Sequence, residues 1–320
     1  MRQRFYVDDY FHIGQTHLGS GKPCQDYSFS GVHENGAFAI VSDGCSTGRH
    51  TDVGARIIAL STAHALGLWF KGKNIPLAQL RYLVKEQHDY AMLRSSEILD
   101  LQFKDLLATC IYACLAPDGG LVSIQGDGAI AKVYRDGSVV FIGYRWDDDM
   151  PLYPAYAADN YRGFIKAHGD DPNARPLKVE HYHYDLCGGV RVNLQSVSLD
   201  EAIRGVAQEI LKEEVSELSF LVVFTDGVMQ VEGMDWTDAV WQLLAFKNLN
   251  GEFAKRRMIK FIKDSKKDGR KGPPSAVGST KSVFGETKSA EQSPPLVRRG
   301  PLDDISYAVI RIEHEILQEV

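Results

Sequence analysis

The sequence predicts an α+β fold built on antiparallel sheet. Residues 106 to 143 hold four compact β segments, "LLATCIYACLA", "GLVSIQ", "AIAKVYR" and "SVVFIG". The links "PDGG" and "RDGS" are hairpin signals, the second an Asp-Gly turn between β-branched residues. Two long helical stretches precede this meander together, so the order is not a βαβ array. A further pattern is that apolar runs stop at Asp-Gly: "AFAIVSDGC" at Asp43-Gly44 and "SFLVVFTDGVM" at Asp226-Gly227.

From the N-terminus, residues 10 to 18, 27 to 32 and 37 to 42 read as strands. "DVGARIIALSTAHALGLWF" and "PLAQLRYLVKEQHDYAMLRSSEILDL" have helical periodicity, and Pro76 suits a first helical turn. After the meander, residues 144 to 190 are irregular, with the length of a functional flap or insertion. Strand "RVNLQSV", helix "SLDEAIRGVAQEILKEE" capped by Ser198 or Asp200, and strand "LSFLVVFT" follow. Short helices are expected at about 236–247 and 251–264, and a final strand in "ISYAVIRIEHEI". Residues 265 to 302 are rich in Pro, Gly, Ser and Lys and nearly without aliphatics, the composition of a flexible insertion. One domain over 1–264 plus 303–320 is the expected organisation.

A net charge of -6 argues against nucleic acid as the main partner. The N-terminus carries charges where a secretion signal needs apolar residues, and the longest apolar stretch falls short of a membrane span of roughly 20 residues. Five cysteines at irregular spacing form no disulfide framework. Cys110 and Cys114, four apart on a strand, stand about 13 Å apart, too far to bridge. A cytoplasmic protein is expected.

Acidic residues recur at the ends of predicted strands: Asp26, Asp43, Asp127, Asp226 and the pair Asp303-Asp304. Each alone reads as an ordinary turn. Together they read as carboxylates converging at one edge, which needs a cation to offset their repulsion. Oxygen ligands without a matching His or Cys set point to Mg²⁺ or Mn²⁺ rather than Zn²⁺. Other features have plainer readings. His181 and His183 of "HYHY" sit on one face of a strand, Asp147 to Asp149 form a solvated loop, and "KEEVSE" is a solvated helix end.

The ordered set "PCQDYSF", "AIVSDGCSTGRHTDVGAR", "LLATCIYACL…GDGAIAKVYRDG", "FLVVFTDGV" and "DDISYAVI" resembles the metal-dependent type 2C Ser/Thr protein phosphatases, bacterial branch. That resemblance implies an αββα four-layer sandwich, two antiparallel sheets flanked by helix pairs, with two Mg²⁺ or Mn²⁺ at one end. It implies that Asp43 bridges the ions and Gly44 adds a carbonyl. Asp226 and Asp303 hold the second ion, and Asp127 belongs to a weaker third site. Partners implied are a phosphorylated protein substrate and a cognate Ser/Thr kinase.

The sequence departs from that pattern in four places. Gln25 replaces a frequent Glu, so Asp26 supplies the charge there. No Arg lies near the first motif, leaving His17 and Lys22 as candidates for the substrate phosphate. Cys45 stands where animal relatives have a His, and Asp304 where Asn is usual. Haloacid-dehalogenase chemistry needs Asp at Val41 or Phe224, and cysteine-dependent phosphatase chemistry needs Arg at Thr51; both fail. The rival from another class is a catalytically silent phosphatase-like module that binds a partner.

Overall fold

The computed structural model describes residues 2–72, 75–268 and 300–315. The strands are β1 (Arg2–His12), β2 (Asp26–His33), β3 (Gly36–Asp43), β4 (Cys110–Ala116), β5 (Gly119–Gln125), β6 (Gly128–Tyr134), β7 (Val139–Trp146), β8 (Leu177–Tyr184), β9 (Val190–Val197), β10 (Val206–Leu211), β11 (Leu218–Phe224) and β12 (Ile305–Glu315). The helices are α1 (Gln15–Ser20), α2 (Thr51–Lys71), α3 (Leu77–Leu99), α4 (Arg162–Ala167), α5 (Leu199–Arg204), α6 (Lys212–Glu217), α7 (Trp236–Leu244) and α8 (Phe253–Asp268).

Two antiparallel sheets result, one ordered β1-β12-β11-β6-β7-β8-β9 and the other β10-β5-β4-β3-β2. Their central strands are apolar on both faces because both faces are covered. In β3, Ala37, Ala39 and Val41 meet Ile130, Ile142, Leu221 and Ile310 of the other sheet, while Phe38 and Ile40 face α2 and α3. In β11, Leu221 and Val223 point between the sheets, and Val222 and Phe224 pack on Trp236 and Val240 of α7 and Phe261 of α8. Burying each such side chain contributes about 1.5–3 kcal/mol, which explains the unbroken runs in sequence. The layers are helix pair, sheet, sheet, helix pair, the expected αββα sandwich. Helix α2 is long and apolar enough to cross a membrane, but Ile58, Leu66 and their neighbours pack in this sandwich.

Several local expectations are corrected. The first strand is β1 over Arg2–His12, not 10 to 18, and residues 15 to 20 are helical. Charged residues hide β1 in the sequence, but its acids have partners: Asp9 accepts from Ser28 and Ser30, and Asp8 from the Ala254 N–H. The stretch from Ser198 to Glu214 is not one helix. Ser198 caps α5 in a reciprocal box with Glu201, and Gly205 at φ 94 ends it. The chain then adds β10 beside β5, burying Ile210. "KEEVSE" is a separate helix, α6, whose Glu214 takes hydrogen bonds from Lys132 and Tyr134.

Residues 144 to 190 are more ordered than their sequence suggests. They contain the end of β7, a 3-10 turn at Pro154–Asp159, α4 and β8. Phe164 is buried against Trp146, Tyr156 and His168. Most of the expected insertion at 265–302 lies outside the described residues. Its edges do not: α8 runs to Asp268, and Pro301 and Leu302 accept from the N–H groups of Gln15 and Thr16.

Candidate active site

Strand ends decide where the acids go. Asp26 opens β2 and Asp43 closes β3, and the two stand opposite in register. Asp127 occupies the link between β5 and β6, where Gly126 (φ 120) and Gly128 (φ 143) adopt backbone conformations that favour glycine. Asp226 follows β11, and Asp303 precedes β12. All lie at the same end of the sandwich, around a cavity of about 460 Å³. Asp43, Gly44, Asp127, Asp226, Asp303 and His17 line it. Lys22 does not: it is exposed, and its Nζ donates to the Ser46 carbonyl at 3.1 Å.

Asp26 sits behind the wall, buried. It joins the two sheets: Thr225 Oγ1 after β11 donates to Asp26 Oδ2 at 2.6 Å and accepts from the Ser306 N–H of β12 at 2.9 Å. The other Asp26 oxygen, Oδ1, is buried without a partner among the described residues, as is Gln25 Oε1. Asp26 and Asp226 are both near enough for their charges to act on Asp43.

Such crowding disfavours ionisation. Burial, then the charge of Asp26 and Asp226, pushes the Asp43 carboxyl well above the usual range. Asp127 is raised by burial and then by Asp226. Asp226 itself is pushed up to about 6 by burial and then by Asp303, while the Gln230 amide donating at 2.6 Å pulls the other way. Converging carboxylates with unpartnered buried oxygens are what a hard divalent cation would satisfy. The residues present therefore fit a hard divalent cation.

Asp303 and Asp304 divide their work. Asp304 is buried and accepts from the Gly14 N–H (2.7 Å) and the Gln25 N–H (2.5 Å), with His17 Nδ1 at 2.8 Å. It fixes the loop before β2. His17, Asp303 and Asp304 offer atoms within 4.8 Å of one another, close enough for a cation. Because Asp304 is saturated by these donors, Asp303 is the carboxylate that faces the cavity, with His17 Nε2 at 3.9 Å.

Residues 13–149 match the family model described as protein phosphatase 2C. That stretch of the chain is similar to the protein phosphatase 2C family. No curated protein matches it in sequence. Among solved structures, the Ser/Thr phosphatase Stp1 from Staphylococcus aureus is similar at 10% identity over 97% of this chain and 96% of that one, TM-score 0.51. A bacterial serine phosphatase is similar at 10% identity over 98% and 100%, TM-score 0.52. At that identity the likeness is one of fold.

Several cavity residues were not among the candidates read from the sequence. Of the acidic run expected to be a solvated loop, Asp147 pairs with Lys178 and Asp148 lies 3.0 Å from His168, but Asp149 lines the cavity. Arg145 and buried Tyr153 line it too. Thr225 and Gln230 flank Asp226 in sequence, so proximity to a candidate ligand was the available signal. For Arg145, Asp149 and Tyr153 the available signal was the flap-like reading of residues 144 to 190, which singled out no residue.

Proposed function

We propose that the protein is a metal-dependent phosphoprotein phosphatase acting on phosphoserine and phosphothreonine. One observation carries this reading: Asp43, Asp127, Asp226 and Asp303, from four separate strand ends, share one open cavity, with Asp26 directly behind. Asp43 would serve both ions and the Gly44 carbonyl would add a ligand, Asp226 and Asp303 would hold the second ion, and Asp127 a weaker third. Asp26 would complete the first side, its unpartnered Oδ1 accounting for the charge that Gln25 lacks. Two Mg²⁺ or Mn²⁺ held there would supply an activated water and neutralise phosphoryl oxygens.

The protein's own groups prepare that site. Thr225 and Asp304 fix the surrounding backbone, and Gln230 orients Asp226. Cys45 follows the bridging position, with its Sγ 3.1 Å from the Thr47 hydroxyl, and no general acid is assigned to it. Five free cysteines suit a reducing cytoplasm, in which a Ser/Thr kinase would generate the substrate.

The test is hydrolysis of phosphoserine and phosphothreonine peptides with and without Mn²⁺, against Asp43→Asn. Metal-dependent release of phosphate, lost in the variant and in EDTA, is expected. Tight phosphopeptide binding without turnover would instead identify a silent binding module, which the intact carboxylate set does not favour.

A further inference from the structure

A phosphate monoester carries two negative charges at neutral pH, and this cavity is walled by carboxylates. The loop before β2 offers no free cation to receive it: Lys22 is turned to the Ser46 carbonyl, and His17 is tied to Asp304 through Nδ1. The cavity does hold one Lys or Arg among its described lining residues, Arg145.

Arg145 lies near the end of β7, exposed, between Tyr144 and Trp146, whose rings are buried between the sheets. The strand is paired on both sides, Tyr144 with Gly128 and Arg145 with Lys178, and the Trp146 indole donates to the Gly126 carbonyl at 3.0 Å. The backbone under the guanidinium is therefore sheet, not loop. Among the described residues Arg145 makes no ion pair, although several carboxylates share its cavity. Its Nε faces Met229 Sδ at 3.2 Å, a weak acceptor that steadies the side chain and leaves the outer donors of the fork open.

We propose that Arg145 receives the phosphoryl oxygens of the substrate, supplying from β7 the phosphate-binding cation that the first motif lacks. The inference rests on the phosphatase reading and deepens it by one residue. A guanidinium presents parallel donors that match two phosphate oxygens, a geometry an ammonium reproduces only in part. The plainer role, offsetting the carboxylates' charge, makes a different prediction. Removing a neutralising cation would tighten Mn²⁺ binding and leave phosphate binding unchanged.

The experiment uses full-length wild type, Arg145→Ala and Arg145→Lys. Orthophosphate binding to the Mn²⁺-loaded protein is measured by calorimetry, p-nitrophenyl phosphate kinetics give KM and kcat, and the Mn²⁺ dependence of melting is followed alongside. Arg145→Ala should weaken orthophosphate binding and raise KM about tenfold or more, with Arg145→Lys recovering part of the loss. The Mn²⁺ midpoint should stay where it is. Wild-type phosphate affinity and KM in Arg145→Ala would overturn the proposal, as would a wild type that binds no orthophosphate. A wild type that binds orthophosphate through Arg145 but hydrolyses nothing would keep this assignment and remove the phosphatase reading. Hydrolysis with an unchanged KM in the variant would do the reverse.

Discussion

Asp26 and Asp43 stand directly opposite one another across the β2–β3 ladder, the first residue of one strand against the last of the next. Like charges in that position destabilise a sheet, and Asp26 is also removed from water. Asp226 reaches the same spot from the other sheet. The fold therefore concentrates carboxylates that, among the described residues, a few donors offset, chiefly the Thr225 hydroxyl on Asp26 and the Gln230 amide on Asp226. Local instability of this kind marks a site built for a ligand.

Its pH dependence follows. The Asp226 carboxyl rises from 3.8 to about 6 on folding, so the folded chain binds the proton more tightly than the unfolded chain. That contribution to stability is fully present below 3.8 and is lost as pH rises through about 6. His88 works in the opposite direction: burial pushes it from 6.5 down to about 3, so its contribution is present above 6.5 and lost as pH falls. The raw profile mixes both, whereas the difference in melting temperature between wild type and Asp226→Asn isolates the carboxylate. In EDTA that difference should favour the variant more at pH 7.5 than at pH 5. Mn²⁺ should raise the melting temperature of wild type more at pH 7.5, since protons compete for the same oxygens. Equal Mn²⁺ shifts at both pH values would argue against these ligands.

Asp43→Asn and Asp226→Asn should each reduce turnover to background while the metal-free protein melts higher than wild type at neutral pH. An amide is nearly the same shape, removes one charge from the crowded centre and is a poor ligand for a hard cation. Thermal melting in EDTA and a phosphopeptide assay read the two effects separately. A variant that keeps near wild-type turnover would show that its carboxylate is not a ligand.

Thr225 gives a third expectation. Thr225→Val keeps the shape but removes the donor to Asp26 and the acceptor for the Ser306 N–H. Leaving buried polar groups unpaired costs about 1–3 kcal/mol, and Thr225→Ser should recover most of it. Urea denaturation measures the loss. Unchanged stability in the Val variant would mean that the two sheets are not tied together through this hydroxyl.

What the sequence revealed and what it hid have physical causes. Asp43 and Asp226 were legible because doubly buried strands leave unbroken apolar runs, and a run ending in Asp-Gly locates a strand end. Asp127 was legible from the tight link between meander strands. β10 was not: Val206–Leu211 continues an apparently helical pattern, and the decisive factor is a free edge on β5 more than eighty residues earlier. Thr225 reads as an ordinary strand end until Asp26, 199 residues away, is beside it. Arg145 and Asp149 sit in "YRWDDDM", whose composition says only that it is polar. Arg145 is held at the cavity by the pairing of β7 with β6 and β8, and Asp149 follows in the turn after that strand, placements that depend on strand partners distant in sequence.

The adjacent pair Asp303 and Asp304 allows the sharpest test, because two identical side chains one residue apart have different surroundings. Asp304 is buried and meets the N–H groups of Gly14 and Gln25 and the ring of His17. In Asp304→Asn one oxygen becomes an NH2 group facing donors, so the Gly14 or the Gln25 N–H loses its acceptor. Leaving a buried donor unsatisfied costs about 1–3 kcal/mol, and the loop before β2 should loosen with it. Asp303 is half-buried, its Oδ1 accepting only from the Asp304 N–H at 2.8 Å, an acceptor that the Asn oxygen can replace. Asp303→Asn should therefore unfold in urea, with EDTA present, within about 1 kcal/mol of wild type, as a solvent-facing change does. Its turnover should nonetheless fall to background, with Mn²⁺ no longer shifting its melting as in wild type. Asp304→Asn should show the converse order, a large loss of stability first and loss of activity as its consequence. Wild-type stability in Asp304→Asn together with an unstable Asp303→Asn would exchange the two roles and move the final ligand of the site by one residue.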